Sequence, residues 1–304
     1  MVNLAAALFL AVLATQNAAS STPAADPAEL VKQARKLVAD GRVDEALPLY
    51  RRALEADPDG FDVNLGLGNA LDLAGQGKEA RTHFTKAMAA ATDDTRAQAL
   101  TAMAVSFAFE GNAREAATFY QQVYDKQAAA SNFSAAAGTA NALGRVYLET
   151  GDLENARRWY QTGLEVAKRQ PAGEAAQLPL WEFRWTHAQA RLAARAGHLD
   201  EARKQVAAAR TLVDTSPAVK DQLPAWFYLA GYVELQGKKY DDALGFLKQA
   251  DANDPFVQML LARAHEGAGH KDEARTAWTN VLKSGAHNVQ NAIARPVARK
   301  ALGK

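Results

Sequence analysis

Arg184, His187, Arg191 and Arg195 follow one another at offsets of three, four and four. That spacing sets side chains on one face of an α-helix. A guanidinium carries only donors and does not give up its proton, so such a row recognises carboxylate or phosphate rather than moving protons. Like charges so placed repel by roughly 0.2–0.5 kcal/mol per pair, a cost that an acidic ligand removes. The other reading is a solvated face balanced by acids on neighbouring helices. Trp185, Ala188 and Leu192 each stand one residue later and form the adjacent packing stripe.

Two other strings carry residue types associated with catalysis and fail on spacing. His265-Glu266-Gly267-Ala268-Gly269-His270 sets two histidines about a glutamate, but zinc hydrolysis needs the histidines four apart on one helical face. Five apart, they diverge by about 140° at ~3.6 residues per turn. Gly66-Leu67-Gly68 begins like a nucleotide loop, yet Leu71 stands where the third glycine belongs. There is no cysteine, hence no disulfide and no thiolate metal site. No catalytic residue, metal or cofactor is therefore expected.

The elements that must position these residues repeat. Gly41, Gly75, Gly111, Gly151, Gly197, Gly237 and Gly269 are separated by 34, 36, 40, 46, 40 and 32 residues. Ala46, Ala80, Ala116, Ala156, Ala202, Ala243 and Ala274 keep the same rhythm. Tyr50, Phe84, Tyr120, Tyr160 and Trp278 supply an aromatic four residues after the alanine, replaced by Val206 and Leu247 in the fifth and sixth repeats. A glycine past the end of one helix can adopt the left-handed conformation that caps it. An acid such as Asp44, Glu115, Asp152 or Asp242 then suits the first turn of the next helix. Small and aromatic residues three and four apart interlock with the neighbouring helix. Such units bury a core only by stacking.

This pattern resembles the tetratricopeptide repeat, in about seven copies over residues 27–283. The resemblance implies an all-α, right-handed α-solenoid of antiparallel helix pairs whose first helices line a concave groove for an extended peptide or part of a partner protein. Groove positions carried over from the repeat pattern include Arg145, Arg184, His187, Arg191, Arg195, Tyr228, Tyr232, Phe256 and Arg263. Tyr228 and Tyr232, one turn apart, read equally as groove or as core. The carboxylate-clamping groove of chaperone-binding members is incomplete, since Asn69 fits its middle site but Val31, Arg35, Thr101 and Val105 occupy the others.

Spacings of 40 and 46 exceed the usual period of about 34, so the middle helices are longer, or the loops at 128–134 and 169–177 are. Residues 284–304 read as a basic helix that caps the open end of the stack, kinked or restarted at Pro296. At the other end, residues 1–20 carry an apolar run from Leu4 to Ala14 followed by small residues. The run reads as a secretory signal and is shorter than the ~20 residues of a membrane span. Residues 21–26 form a flexible lead.

Over the 304 residues, 35 basic side chains balance 34 acidic ones for a net charge of +1. Such a balance favours neither nucleic acid nor an anionic membrane surface. The expectation is an exported, periplasmic or secreted, non-catalytic adaptor for a protein or peptide partner carrying acidic groups, without a membrane span in the mature chain. The rivals are a structural subunit packing by its convex face or C-terminal end, and an accessory for carbohydrate or small-molecule handling.

Overall fold

The computed structural model describes residues 26–171 and 177–304. The expected signal over 1–20 lies outside the described residues, as does the lead apart from Asp26. The chain first forms α1 (Pro27–Ala39) with α2 (Val43–Ala56), α3 (Phe61–Leu73) with α4 (Gly77–Ala90), and α5 (Arg96–Phe109) with α6 (Ala113–Ala129). Next come α7 (Phe133–Thr150) with α8 (Leu153–Ala167) and α9 (Leu178–Arg195) with α10 (Leu199–Thr215). A 3-10 helix (Pro217–Gln222) leads into α11 (Leu223–Gln236) with α12 (Tyr240–Leu247), then α13 (Pro255–Gly267) with α14 (Lys271–Val281), and finally α15 (Val289–Ala301). Consecutive helices pack on one another throughout, which makes an all-α solenoid of antiparallel helix pairs. Among the described residues no helix is long and apolar enough to cross a membrane.

The repeat markers do the packing that their spacing predicts. All seven marker alanines and all five aromatics are buried. Glycines on the inner helices let the aromatics in. A methyl group on Gly68 would lie 2.5 Å from the Phe84 ring, and one on Gly144 would lie 3.0 Å from Tyr160. Six of the seven turn glycines take positive φ, between 70° at Gly111 and 93° at Gly151. In the sixth repeat the left-handed residue is Lys238, with φ 58°, and Gly237 is not. Asp152 serves as the N-cap of α8, accepting from the Asn155 backbone N–H, rather than sitting in its first turn.

Part of the extra length of the middle repeats goes into helix, and part into the ten residues between α8 and α9, where the expected loop at 169–177 lies outside the described residues over 172–176. α6 through α10 run 15 to 18 residues, against 13 or 14 for α1 to α4. The expected loop at 128–134 is only the short turn around Ser131, whose φ is 57°. The 3-10 helix accounts for further length before α11.

The odd-numbered helices form the inner layer, with direct contacts α1–α3, α3–α5, α9–α11 and α11–α13. α15, the segment expected to cap the stack, packs on α13 and α14 of the last repeat and also reaches α5 and α7, so it lies inside the curve of the solenoid and bridges its two halves. It runs through Pro296 as one helix. The turn before it touches the first repeat, where a methyl group on Gly41 would meet the Lys283 carbonyl at 2.5 Å. Burial explains the placement. Val289, Ala292, Ala294 and Ala298 are buried, while Gln290, Ile293, Val297 and Lys300 form a half-buried to exposed face.

Candidate functional site

Where α15 begins, it divides the concave groove. On one side lies a central chamber of about 1040 Å³ lined from α5, α7, α9, α11 and α13, with Tyr120 and Tyr160 reaching in from outer helices. On the other side are two smaller cavities of about 270 and 340 Å³ beside Asn69 and Gln98. His287 borders all three. Its Nε2 is 2.8 Å from Asp72 Oδ2, while Ser106 Oγ donates to the other carboxylate oxygen at 2.9 Å. The divider is thus tied to the second repeat through a buried carboxylate.

Five of the nine expected groove residues meet in the chamber: Arg145, Arg184, His187, Arg191 and Tyr228. Arg145 lies 4.2 Å above the Phe256 ring and 5.7 Å from that of Tyr228, and its Nη2 donates to the Tyr228 hydroxyl at 3.3 Å. Each cation–ring contact contributes about 0.5–2 kcal/mol depending on desolvation. Arg191 stands 5.2 Å over the Tyr160 ring and is only 6% exposed. Arg184 is exposed and lies 4.4 Å over Trp181.

The other four are placed elsewhere. Tyr232 and Phe256, at 1% and 0% exposure, belong to the core, because their faces of α11 and α13 turn toward neighbouring inner helices. Arg195 is engaged with Glu149 at 3.7 Å and donates to the Glu149 carbonyl at 3.3 Å. Arg263 is half-buried on α13 and does not line the chamber. The row on α9 is therefore not a solvated face: Arg191 and His187 point inward and are buried.

Burial sets the ionisation here. His187 is held well below the ordinary imidazole value of 6.5, first by burial and then by the charges of Arg191 and Arg145. The neutral ring donates from Nε2 to the Ala225 carbonyl at 3.3 Å. Burial pushes the Tyr160 hydroxyl up to about 12 and raises Tyr232 well above 10, so both remain neutral hydroxyls. Glu149, with a side chain 8% exposed, pairs with Arg195 at 3.7 Å and adds a weaker attraction to Arg191. Sequence reasoning missed Tyr160 and Glu149 as members of this group. Tyr160 stands at the packing-aromatic position of its repeat, and Glu149 carries no repeat signature.

His265 and His270 come together despite their spacing. α13 stops at Gly267, and left-handed Gly269 folds His270 back until the two Nδ1 atoms are 3.4 Å apart. Among the described residues no group of three or more His, Asp or Glu is placed to hold a metal ion.

An all-helical stack of paired repeats around an inward-facing cavity defines a solenoid scaffold. Sequence-family models for the tetratricopeptide repeat match residues 37–104, 137–170, 187–257 and 255–278. The chain belongs to the tetratricopeptide repeat family. No curated protein matches its sequence. Among solved structures, a tetratricopeptide repeat protein from Parabacteroides merdae is similar at 14% identity and TM-score 0.52, covering 89% of this chain and 98% of the other. The nearly identical TPR-like repeats of a protein from Podosopora anserina, described as a kinesin light chain, align at 19% identity and TM-score 0.51, covering 64% of this chain and 95% of the other. At these identities the likeness is one of fold.

Proposed function

We propose that this chain is a non-catalytic interaction scaffold of the cell envelope that takes a segment of a partner protein or peptide into the central chamber. Arg145, Arg184 and Arg191 meet the acidic groups of that segment, and Tyr228 meets its apolar ones. The observation that carries this reading is the convergence of these residues, from α7, α9 and α11, on one cavity of about 1040 Å³. Because the C-terminal segment divides the groove, the chamber suits the end of a chain better than an extended stretch running the length of the solenoid. A binding role fits the chemistry, since guanidinium groups stay protonated near neutral pH and the chamber's imidazole is held neutral against a carbonyl. Placement in the envelope rests on the signal-like apolar run from Leu4 to Ala14.

Photo-crosslinking in living cells tests this. A photoreactive residue at Asn141 or Gln222, which line the chamber, is compared with one at exposed Lys204 on the outer helix α10. Adducts to one partner from the chamber positions and not from Lys204 are expected. Adducts from Lys204 alone overturn the reading in favour of convex-face packing.

A further inference from the structure

The turn between α13 and α14 is closed by two backbone hydrogen bonds. The His270 N–H donates to the His265 carbonyl at 2.8 Å, and the Gly269 N–H donates to that of Glu266 at 3.1 Å. With Gly269 left-handed at φ 82°, this is the helix end in which the second residue past the cap returns beside the third residue from the end of the helix. The same two positions meet in the sixth repeat. There the Lys239 N–H donates to the Glu234 carbonyl at 3.0 Å, and the Lys239 ammonium lies 3.9 Å from the Glu234 carboxylate. A separation of five residues, which parts two histidines on a helix, therefore joins them across this turn. In the fifth repeat the His198 N–H donates to the Ala193 carbonyl at 2.9 Å, so that turn carries one histidine without a mate.

The distance between the seventh repeat's pair is informative. The two Nδ1 atoms stand 3.4 Å apart, beyond the ~2.7–3.2 Å usual for a hydrogen bond from N–H. The ring centroids are 5.6 Å apart and the planes inclined by 56°, so the nitrogens rather than the ring faces are the points of approach. Nitrogens bound at about 2.0–2.1 Å to a tetrahedral zinc ion lie ~3.3–3.4 Å from one another. Adjacent corners of a square or an octahedron with bonds of that length are only ~2.9 Å apart. The separation is that of two tetrahedral ligands.

Both rings are open to an ion from solution, His270 being exposed and His265 half-buried. Burial first, and then the charge of Lys248, hold His265 below its ordinary value of 6.5, which keeps a lone pair available near neutral pH. Lys248 opposes a dication at this place and Glu273 favours one. Glu266 is engaged elsewhere, since its Oε1 accepts from Trp278 Nε1 at 2.7 Å.

We infer that His265 and His270 bind a zinc ion through their two Nδ1 atoms, with water at the remaining two corners. Neither histidine lines the central chamber, so zinc binding here stands whether or not a partner segment enters that cavity.

Calorimetric titration of the full chain, carrying no affinity tag, with zinc chloride tests the site. One equivalent of zinc is expected to bind, at least ~10-fold more weakly in His265→Gln and in His270→Gln alike, and unchanged in His198→Gln. Magnesium, which prefers oxygen ligands, should not bind there. Ring-nitrogen NMR of the natural chain gives a readout that needs no variant: zinc should shift the Nδ1 resonances of two histidines and leave their Nε2 atoms protonated. No zinc uptake by the natural chain overturns the assignment, as does a loss confined to one of the two histidines. A loss of the same size in His198→Gln, or magnesium binding as tightly as zinc, assigns the uptake to scattered surface groups and overturns it too.

Discussion

The guanidinium of Arg295 donates from Nε to the carbonyl of Leu73 at 2.6 Å, joining residues 222 positions apart. Leu73 is the last residue of α3, so the cation satisfies a carbonyl that the helix itself leaves open. Nη1 of the same side chain donates to the Leu282 and Ser284 carbonyls at 3.0 Å each, just past the end of α14. One buried cation thus closes the C-terminal ends of two helices, where the helix dipoles favour positive charge, and fastens the last repeat to the second.

Replacing Arg295 by Met removes the side-chain donor from the Leu73 and Leu282 carbonyls, while the Ser284 carbonyl keeps Asn291 Nδ2 at 3.2 Å. Stability is expected to fall by about 2–3 kcal/mol, read as a lower urea midpoint. Lys300→Ala, on an exposed position of the same helix, serves as the control and should change little. Equal midpoints for Arg295→Met and the natural protein would show that α15 is merely laid in the groove rather than fastened there.

The repeat architecture was legible because its determinants are local. Ala46, Tyr50 and their counterparts act within a few residues of one another, and periodicity records them. Tyr232 and Phe256 lie in the core because one inner helix presents residues both to the cavity and to the next inner helix, and spacing alone does not separate these faces. Glu149 and the interior course of α15 were invisible for a different reason. The bonds from Arg295 to Leu73 and from His287 to Asp72 span more than 200 residues, and no periodic signal encodes such a contact.

The sixth repeat gives a backbone test of the turn chemistry. Its left-handed position is held by Lys238 at φ 58°, whereas Gly269 holds the equivalent place in the seventh at φ 82°. A left-handed residue with a Cβ costs roughly 1–2 kcal/mol, offset in part by the lower unfolded-state entropy of a non-glycine residue. Lys238→Gly is expected to stabilise the chain by about 0.5–1 kcal/mol and Gly269→Ala to destabilise it by a similar amount. Thermal melts of the two variants check this, and a lower midpoint for Lys238→Gly would sink it.

His187 gives the acid side of the stability profile. Its folded-state pKa lies well below 6.5 because it is buried, with Arg191 and Arg145 facing it and the Tyr228 ring 5.1 Å away. Below pH ~6.5 the unfolded chain takes up a proton that the folded chain refuses, so stability present above that pH is lost as the pH falls toward the folded value. The slope from this group reaches at most ~1.4 kcal/mol per pH unit. Urea titrations between pH 7 and 5 should show a slope reduced by about one proton in His187→Asn, which retains a donor for the Ala225 carbonyl. An unchanged slope would mean that the imidazole charges without unfolding its surroundings.

Arg191 sets binding against stability. In the ligand-free chain its Nε and Nη1 are buried without partners, and each such donor costs about 1–3 kcal/mol. The contact with the Tyr160 ring returns only ~0.5–2 kcal/mol. Met fills a similar volume and brings no unpaired donor, so Arg191→Met is expected to raise the ligand-free stability by about 1–2 kcal/mol, as apolar replacement of buried charge does elsewhere. Glu149 limits the gain, because it faces Arg191 and loses a favourable charge, although Arg195 remains beside it. A melt of Arg191→Met measured without added ligand decides the point. A higher midpoint shows that the arginine is kept at the expense of the fold, which a residue present only for packing would not be. A lower midpoint shows that the guanidinium is structural.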